Sequence, residues 1–230
     1  MDTTRPPLLG ALAYLVSNLA AGIAGFVLMV TLITVGIGTA VVWVGVAVLA
    51  LALVVLRGAA RLERRRVHAM LGTYIATPYR TPPAGPVVRK LRARLGEAAT
   101  WRDLVYVLLL LPLGIVEFTT MVVFWSVSLG LLFLPVFYRW LPDSEWRAFD
   151  WDRPWLVVDS TWEALPWAAL GALLLAVTVA LTRSIGAGHA RFARSLLGPT
   201  PHALRTITTP PANTSMDDTM GVMAHPGRHV

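Results

Sequence analysis

The residue best placed to do chemistry is Glu117, because it is the one ionisable group in a long apolar stretch. Thirteen uncharged residues separate it from Asp103, and none follows it until Arg139. An ionised carboxylate at such a depth in a bilayer costs a few kcal/mol, so its presence needs a reason. It is either a proton-sensitive or ligand-contacting group facing a bundle interior, or a protonated acid hydrogen-bonded to Thr119, Thr120 or Asn18. The histidines offer less. They stand at 68, 189, 202, 225 and 229, with no carboxylate or second histidine at ligand spacing on an apolar segment. The chain has no glycine-rich phosphate loop, nucleophile elbow or zinc-binding histidine pair. No catalytic residue, cofactor site or metal site is therefore expected, and the expectation is a non-enzyme. Zero cysteines exclude disulfides and thiolate metal sites.

The surroundings of Glu117 set the class of protein. Of 230 residues 56% are hydrophobic and only 14% charged, against roughly 25% charged in soluble domains. Residues 6–56 carry no Asp, Glu, Lys or Arg, and about 20 apolar residues suffice to cross a bilayer as a helix. A soluble enzyme is excluded. The net charge of +7 suggests nucleic acid only until its distribution is seen. Eleven of the 20 Lys and Arg fall between Arg57 and Arg102, flanked by apolar stretches, as in a cytoplasmic loop. Arg5 and the apolar run after it have the shape of a signal peptide. That run continues forty residues further, so a retained first helix is the better reading.

Aligned with itself at an offset of 92 residues, Tyr14–Val44 matches Tyr106–Val136 at ten of 31 positions without a gap. The matches include Tyr14 with Tyr106, Gly22 with Gly114, Phe26 with Phe118, Met29 with Met121 and Gly38 with Gly130. Further on, Arg57, Arg65, Leu71 and Gly72 correspond to Arg183, Arg191, Leu197 and Gly198 at an offset of 126. This pattern reads as a tandem duplication with about 34 residues inserted into the second copy. The fold expected is an all-α membrane protein. Its four transmembrane helices form two tandem hairpins, each followed by a basic cytoplasmic helix. Spans fall near 8–34, 39–57, 103–127 and 165–182, with a first turn around Gly36-Ile37-Gly38. Gly22, Gly38, Gly114 and Gly130 are expected at helix contacts, where small residues let backbones approach, and Pro112 at a kink or close approach.

Four segments follow. Residues 1–72 are the first hairpin with its basic helix, and 73–100 a cytoplasmic linker. Residues 101–198 are the second hairpin with its basic helix, and 199–230 a disordered tail rich in Pro, Thr and Ser. The insertion, about 138–166, is net acidic and holds Trp140, Trp146, Trp151, Trp155 and Trp162. Those tryptophans either line an outer ligand pocket or anchor the loop at the membrane interface. The charges place both termini in the cytoplasm. In the linker, Val87, Leu91 and Leu95 fall at i, i+4, i+8 among Arg89, Lys90, Arg92 and Arg94. This is an amphipathic helix, lying on anionic lipid or packed in solvent. Together with Arg61, Arg64 and Arg65 these residues are the expected contacts for anionic headgroups or a partner protein. Thr100 with Asp103 reads as a capping box opening the third span.

The stretch Thr100-Trp101-Arg102-Asp103-Leu104-Val105-Tyr106, running into Leu111-Pro112-Leu113-Gly114, resembles the putative sensor domain family of actinobacterial membrane signalling proteins. Ser128-Leu129-Gly130-Leu131, Thr77-Pro78-Tyr79-Arg80 and Leu196-Leu197-Gly198-Pro199 fit the same pattern, so that the likeness covers roughly residues 8–199. In that family the domain often precedes a histidine kinase. The resemblance implies a non-catalytic plasma-membrane input module that relays a membrane or extracellular signal to a cytoplasmic effector. The kinase part is not seen here, so its partner would be another signalling protein, with a homodimer as a further expectation and nucleic acid excluded. The alternative is a small homo-oligomeric transporter or channel built from the duplicated hairpin. A lipid-modifying enzyme lacks a catalytic group.

Overall fold

The computed structural model describes residues 6–79, 87–140, 146–148, 156–158 and 160–199. Four of its helices are long and apolar enough to cross a membrane. They are α1 (Leu8–Gly38), α2 (Val44–Leu71), α4 (Ala98–Leu132) and α6 (Thr161–Leu197). The short α3 (Val87–Leu95) precedes α4, and α5 (Leu134–Phe137) follows it. Between α5 and α6 lies an antiparallel pair, β1 (Trp146–Ala148) and β2 (Leu156–Val158), in the register Trp146↔Val158 to Ala148↔Leu156. The all-α expectation thus holds for every span, and the inserted loop adds two three-residue strands to it.

The spans outrun their expected limits. Helix α1 continues through Gly36 to Gly38, and the turn falls at 39–43, where Trp43 takes a left-handed φ of 62°. Thr39 assists by donating its hydroxyl to the Val35 carbonyl at 2.7 Å. Helices α2 and α6 run unbroken from apolar span into basic segment, so the basic helices are extensions of the spans. Gly72, with φ 65°, caps α2 by donating its N–H to His68. Ser160 caps α6 by accepting the N–H of Glu163. Pro112 lies inside α4 without ending it.

Helix α1 packs along α2 and α4, and α4 packs along α6. Much of the apolar surface faces outward: Val27, Val116 and Leu173 are each more than half exposed. In water such faces would aggregate, whereas lipid solvates them as well as a protein core would. Helix association in lipid therefore rests on close backbone approach and polar bonds. Gly22 lies against the backbone of Leu110 and Leu111, and Gly114 against that of Asn18 and Leu19. The two contacts are related by the 92-residue offset, so each glycine admits the neighbours of the other. Gly38 and Gly130 differ: nothing lies within 4 Å of a Cβ built on either, so neither is a packing glycine.

Beyond the spans, Leu134, Tyr138, Val158 and Ala164 form a small separate core with Trp167 against its edge. It fastens β2 to the start of α6. Trp140 and Trp162 stand beside it, 84% and 81% exposed.

Candidate functional site

Glu117 is buried where α1, α4 and α6 meet. Asn18 Nδ2 donates to its Oε2 at 2.6 Å, and its Oε1 lies 2.5 Å from His189 Nδ1. Asn18 is the expected neighbour, while no bond forms from Thr119 or Thr120. His189 had no expected role, because it is 72 residues away in sequence and lies past the expected end of the last span. Its Nε2 lies 3.1 Å from the Tyr106 hydroxyl, which is 3.2 Å from Glu63 Oε1. Tyr14 donates to that same Oε1. Glu63 Oε2 is paired with Arg66 at 2.7 Å, and Arg66 also donates to Ser17 Oγ at 2.9 Å. A continuous polar chain thus runs from mid-span to the basic end: Glu117, His189, Tyr106, Glu63, Arg66. All four long helices contribute to it. Two signals for it were present in the sequence: Tyr14 with Tyr106 at offset 92, and Glu63 with His189 at offset 126.

Proton counting limits which bonds can form together along this chain. Tyr106 has one hydroxyl proton and three candidate acceptors, Glu63, His189 and, at 3.4 Å, the Tyr14 hydroxyl. If His189 carries its proton on Nδ1, directed at Glu117, then Nε2 is bare and takes the Tyr106 proton. If Nε2 is protonated, it donates to Tyr106, whose own proton turns to Glu63. The tautomer of His189 therefore decides whether its Nε2 competes with Glu63 for the Tyr106 proton.

A second cluster closes the basic end. Arg64 donates from Nε and Nη2 to the Leu197 carbonyl at 3.1 and 3.0 Å, and from Nη2 to Asp103 Oδ1 at 3.0 Å. Its Nη1 donates to the Tyr79 hydroxyl at 3.1 Å, and Tyr79 donates to Asp103 Oδ2 at 2.6 Å. Arg57 lies over the Tyr79 ring, 4.5 Å from its centroid, and pairs with Glu97. The ends of α2, α4 and α6 and the linker are so joined. This corrects two expectations. Arg64 is buried and structural, so it does not present its charge to lipid or a partner. Thr100 and Asp103 form no capping box. Helix α4 starts at Ala98, Thr100 donates to the Arg94 carbonyl, and Asp103 serves Arg64 and Tyr79.

Burial disfavours the Tyr79 phenolate and the Asp103 carboxylate adds to that, against a smaller opposing effect of Arg64, so Tyr79 titrates above its usual value of about 10. The folded chain holds this proton more tightly than the unfolded one. The contribution is therefore complete below about pH 10 and lost as pH rises through the higher folded value. Thermal melts in detergent should show Tyr79→Phe less stable than the parent near neutral pH, with the gap narrowing above about pH 10. A gap constant across that range would refute this role.

Among the described side chains, the other expected arginines take no part in either cluster's side-chain bonds. Arg61, Arg65, Arg89 and Arg92 are exposed, and Arg94 is half-buried. Lys90 belongs to α3 and Trp146 to β1. The side chains of Lys90 and Trp146, and all of Trp151, Trp155 and 200–230, lie outside the described residues. Among the described residues no group of three or more His, Asp or Glu is arranged to hold a metal ion.

A family model described as "Putative sensor" matches residues 14–197, from the first tyrosine of the polar chain to the carbonyl that Arg64 holds. The chain belongs to the Putative sensor family. No curated protein and no solved structure matches it. Family membership together with four bilayer-length helices makes this sensor a multi-pass membrane protein.

Proposed function

We propose that this chain is a duplicated, non-catalytic signal-input module of the plasma membrane, with its basic end and both termini in the cytoplasm. It relays a membrane or extracellular signal to a cytoplasmic effector such as a histidine kinase. The observation that carries this reading is the polar chain itself. It links α2, α4 and α6, takes bonds from Asn18, Tyr14 and Ser17 of α1, and ends beside the cluster that joins α2, α4, α6 and the linker. A change in helix packing or in the protonation of Glu117–His189 alters bonds at Glu63, one residue from Arg64. The extensions of α2 and α6 then present the change to a partner, with exposed Arg61, Arg65, Arg89 and Arg92 available for contact.

In-cell photocross-linking from Arg61 and Arg92, followed by mass spectrometry, tests the proposal. The expected result is reproducible capture of one kinase or transcriptional regulator, reduced by Glu117→Gln. Capture of nothing but lipid and the chain itself would overturn it.

The buried Glu117–His189 pair also suits the alternative, a small homo-oligomeric carrier or channel built from the duplicated hairpin. Substrate or proton flux in proteoliposomes of the parent protein, lost on Glu117→Gln, would favour the carrier.

A further inference from the structure

Helices α2 and α4 both pack on α1 but touch each other far less, which leaves a groove between them. Its volume is about 610 Å³, within the range of ligand sites. Met29, Ile33, Leu53, Leu56 and Leu104 line it. Along α2 it extends from Val46 to Leu56, about 15 Å at 1.5 Å per residue. That is an apolar slot running along α2.

Its basic end differs from the rest. Arg92 and Trp101 close it there, the first exposed and the second 56% exposed. Trp101 is fixed by donating Nε1–H to the Leu95 carbonyl at 2.9 Å, and an indole at such a level sits among headgroups. Arg57, further along α2, is engaged by Glu97, whereas Arg92 has no acidic partner among the described residues. The exposed, basic Arg92 thus borders the apolar slot, with exposed Arg89 on the same short helix. An apolar chain carrying an anionic head satisfies both features at once.

We infer that the groove between α1, α2 and α4 holds one acyl chain of an anionic phospholipid, with its phosphate held by Arg92. The site is separate from the polar chain but shares Arg92 with the partner surface proposed above, so lipid capture in this groove bears on the site and capture from Arg61 bears on signalling. Its occupant orders α3 against the spans, because the phosphate draws Arg92 to the mouth while the chain fills the slot.

The full-length protein is reconstituted in phosphatidylcholine vesicles containing a few per cent of a phosphatidylglycerol with a diazirine in its acyl chain. A parallel sample carries the same diazirine on phosphatidylcholine. After illumination, adducts are mapped by mass spectrometry. They should concentrate on Ile33, Leu53 and Leu104 rather than on Leu173 and Val177, exposed positions of α6. Phosphatidylglycerol should label the groove about fivefold more than phosphatidylcholine, the factor equivalent to about 1 kcal/mol per basic residue at anionic lipid. Arg92→Gln, at an exposed position, should remove that preference. Ala50→Trp should fill the slot and abolish groove adducts while those on α6 persist; Ile33→Trp does the same from the opposite wall. Equal labelling by the two lipids, or no enrichment over α6, overturns the inference. So does a groove free of lipid and cross-linked to a second copy.

Discussion

Arg64→Met should cost about 3–5 kcal/mol of stability, the usual penalty for removing one partner of a buried ion pair. Asp103 is fully buried, and without Arg64 it keeps Tyr79 as its neighbour but loses its ion-pair partner. The Leu197 carbonyl at the end of α6 loses two donors. Arg64→Lys should recover little, because one ammonium cannot span a carboxylate, a phenol and a carbonyl as the planar guanidinium does. Combining Arg64→Met with Asp103→Leu should restore much of the loss, since apolar replacement of a whole buried pair is often close to neutral. Denaturant unfolding in detergent, arranged as a double-mutant cycle, measures all three. If Arg64→Met lies within about 1 kcal/mol of the parent, the cluster does not hold the basic end together. Protease sensitivity after Leu197 should rise in the same variant, because α6 is tied to α2 through that carbonyl.

The second large effect is expected at the crossing of α1 and α4. A methyl group at Gly22 would come within 2.7 Å of the Leu110 carbonyl oxygen and 2.8 Å of Leu111 Cα. At Gly114 it would come within 2.9 Å of the Asn18 carbonyl oxygen and 3.0 Å of Leu19 Cα. Both obstacles are backbone, which cannot swing aside, so one helix must move. Gly22→Ala and Gly114→Ala should each cost about 1–3 kcal/mol, the range for overpacking. The pair should cost less than the sum, because the first substitution already separates the helices. Gly38→Ala and Gly130→Ala should be neutral or slightly stabilising. Thermal melts of the four single variants and the double variant decide the matter; equal effects at all four positions would refute it. The displacement would also reach the site, since Asn18 touches Glu117 from this same crossing.

The contrast among those four glycines shows where sequence reasoning stopped. The offset of 92 pairs Gly22 with Gly114 and Gly38 with Gly130 equally well, yet only the first pair lies at a crossing. Glu117 stood out because one carboxylate among uncharged residues is conspicuous, and Asn18 followed as a polar neighbour. His189 did not stand out, because it falls in a basic segment that read as cytoplasmic. Its equivalence to Glu63 becomes visible when the 126-residue offset is extended from Leu71 and Leu197 back by eight residues. Arg64 was misjudged for a related reason. Among Arg57, Arg61, Arg64 and Arg65, charge alone cannot separate the two that turn inward from the two that remain exposed.

The amino-acid sequence by itself determined how many helices are long and apolar enough to span, that the chain is a membrane sensor-family protein, and the internal likeness of its two halves. The number of spans follows from composition and length, which act on each segment separately, whereas the family and the internal likeness follow from particular residues at particular spacings. Only the tertiary structure decided which way each helix turns about its axis. In a soluble bundle the apolar face would reveal that rotation. In lipid, core-facing and lipid-facing positions are both apolar, so hydropathy is silent on it. Glu117 meets His189, and Arg64 meets Asp103 and Leu197, through that rotation alone.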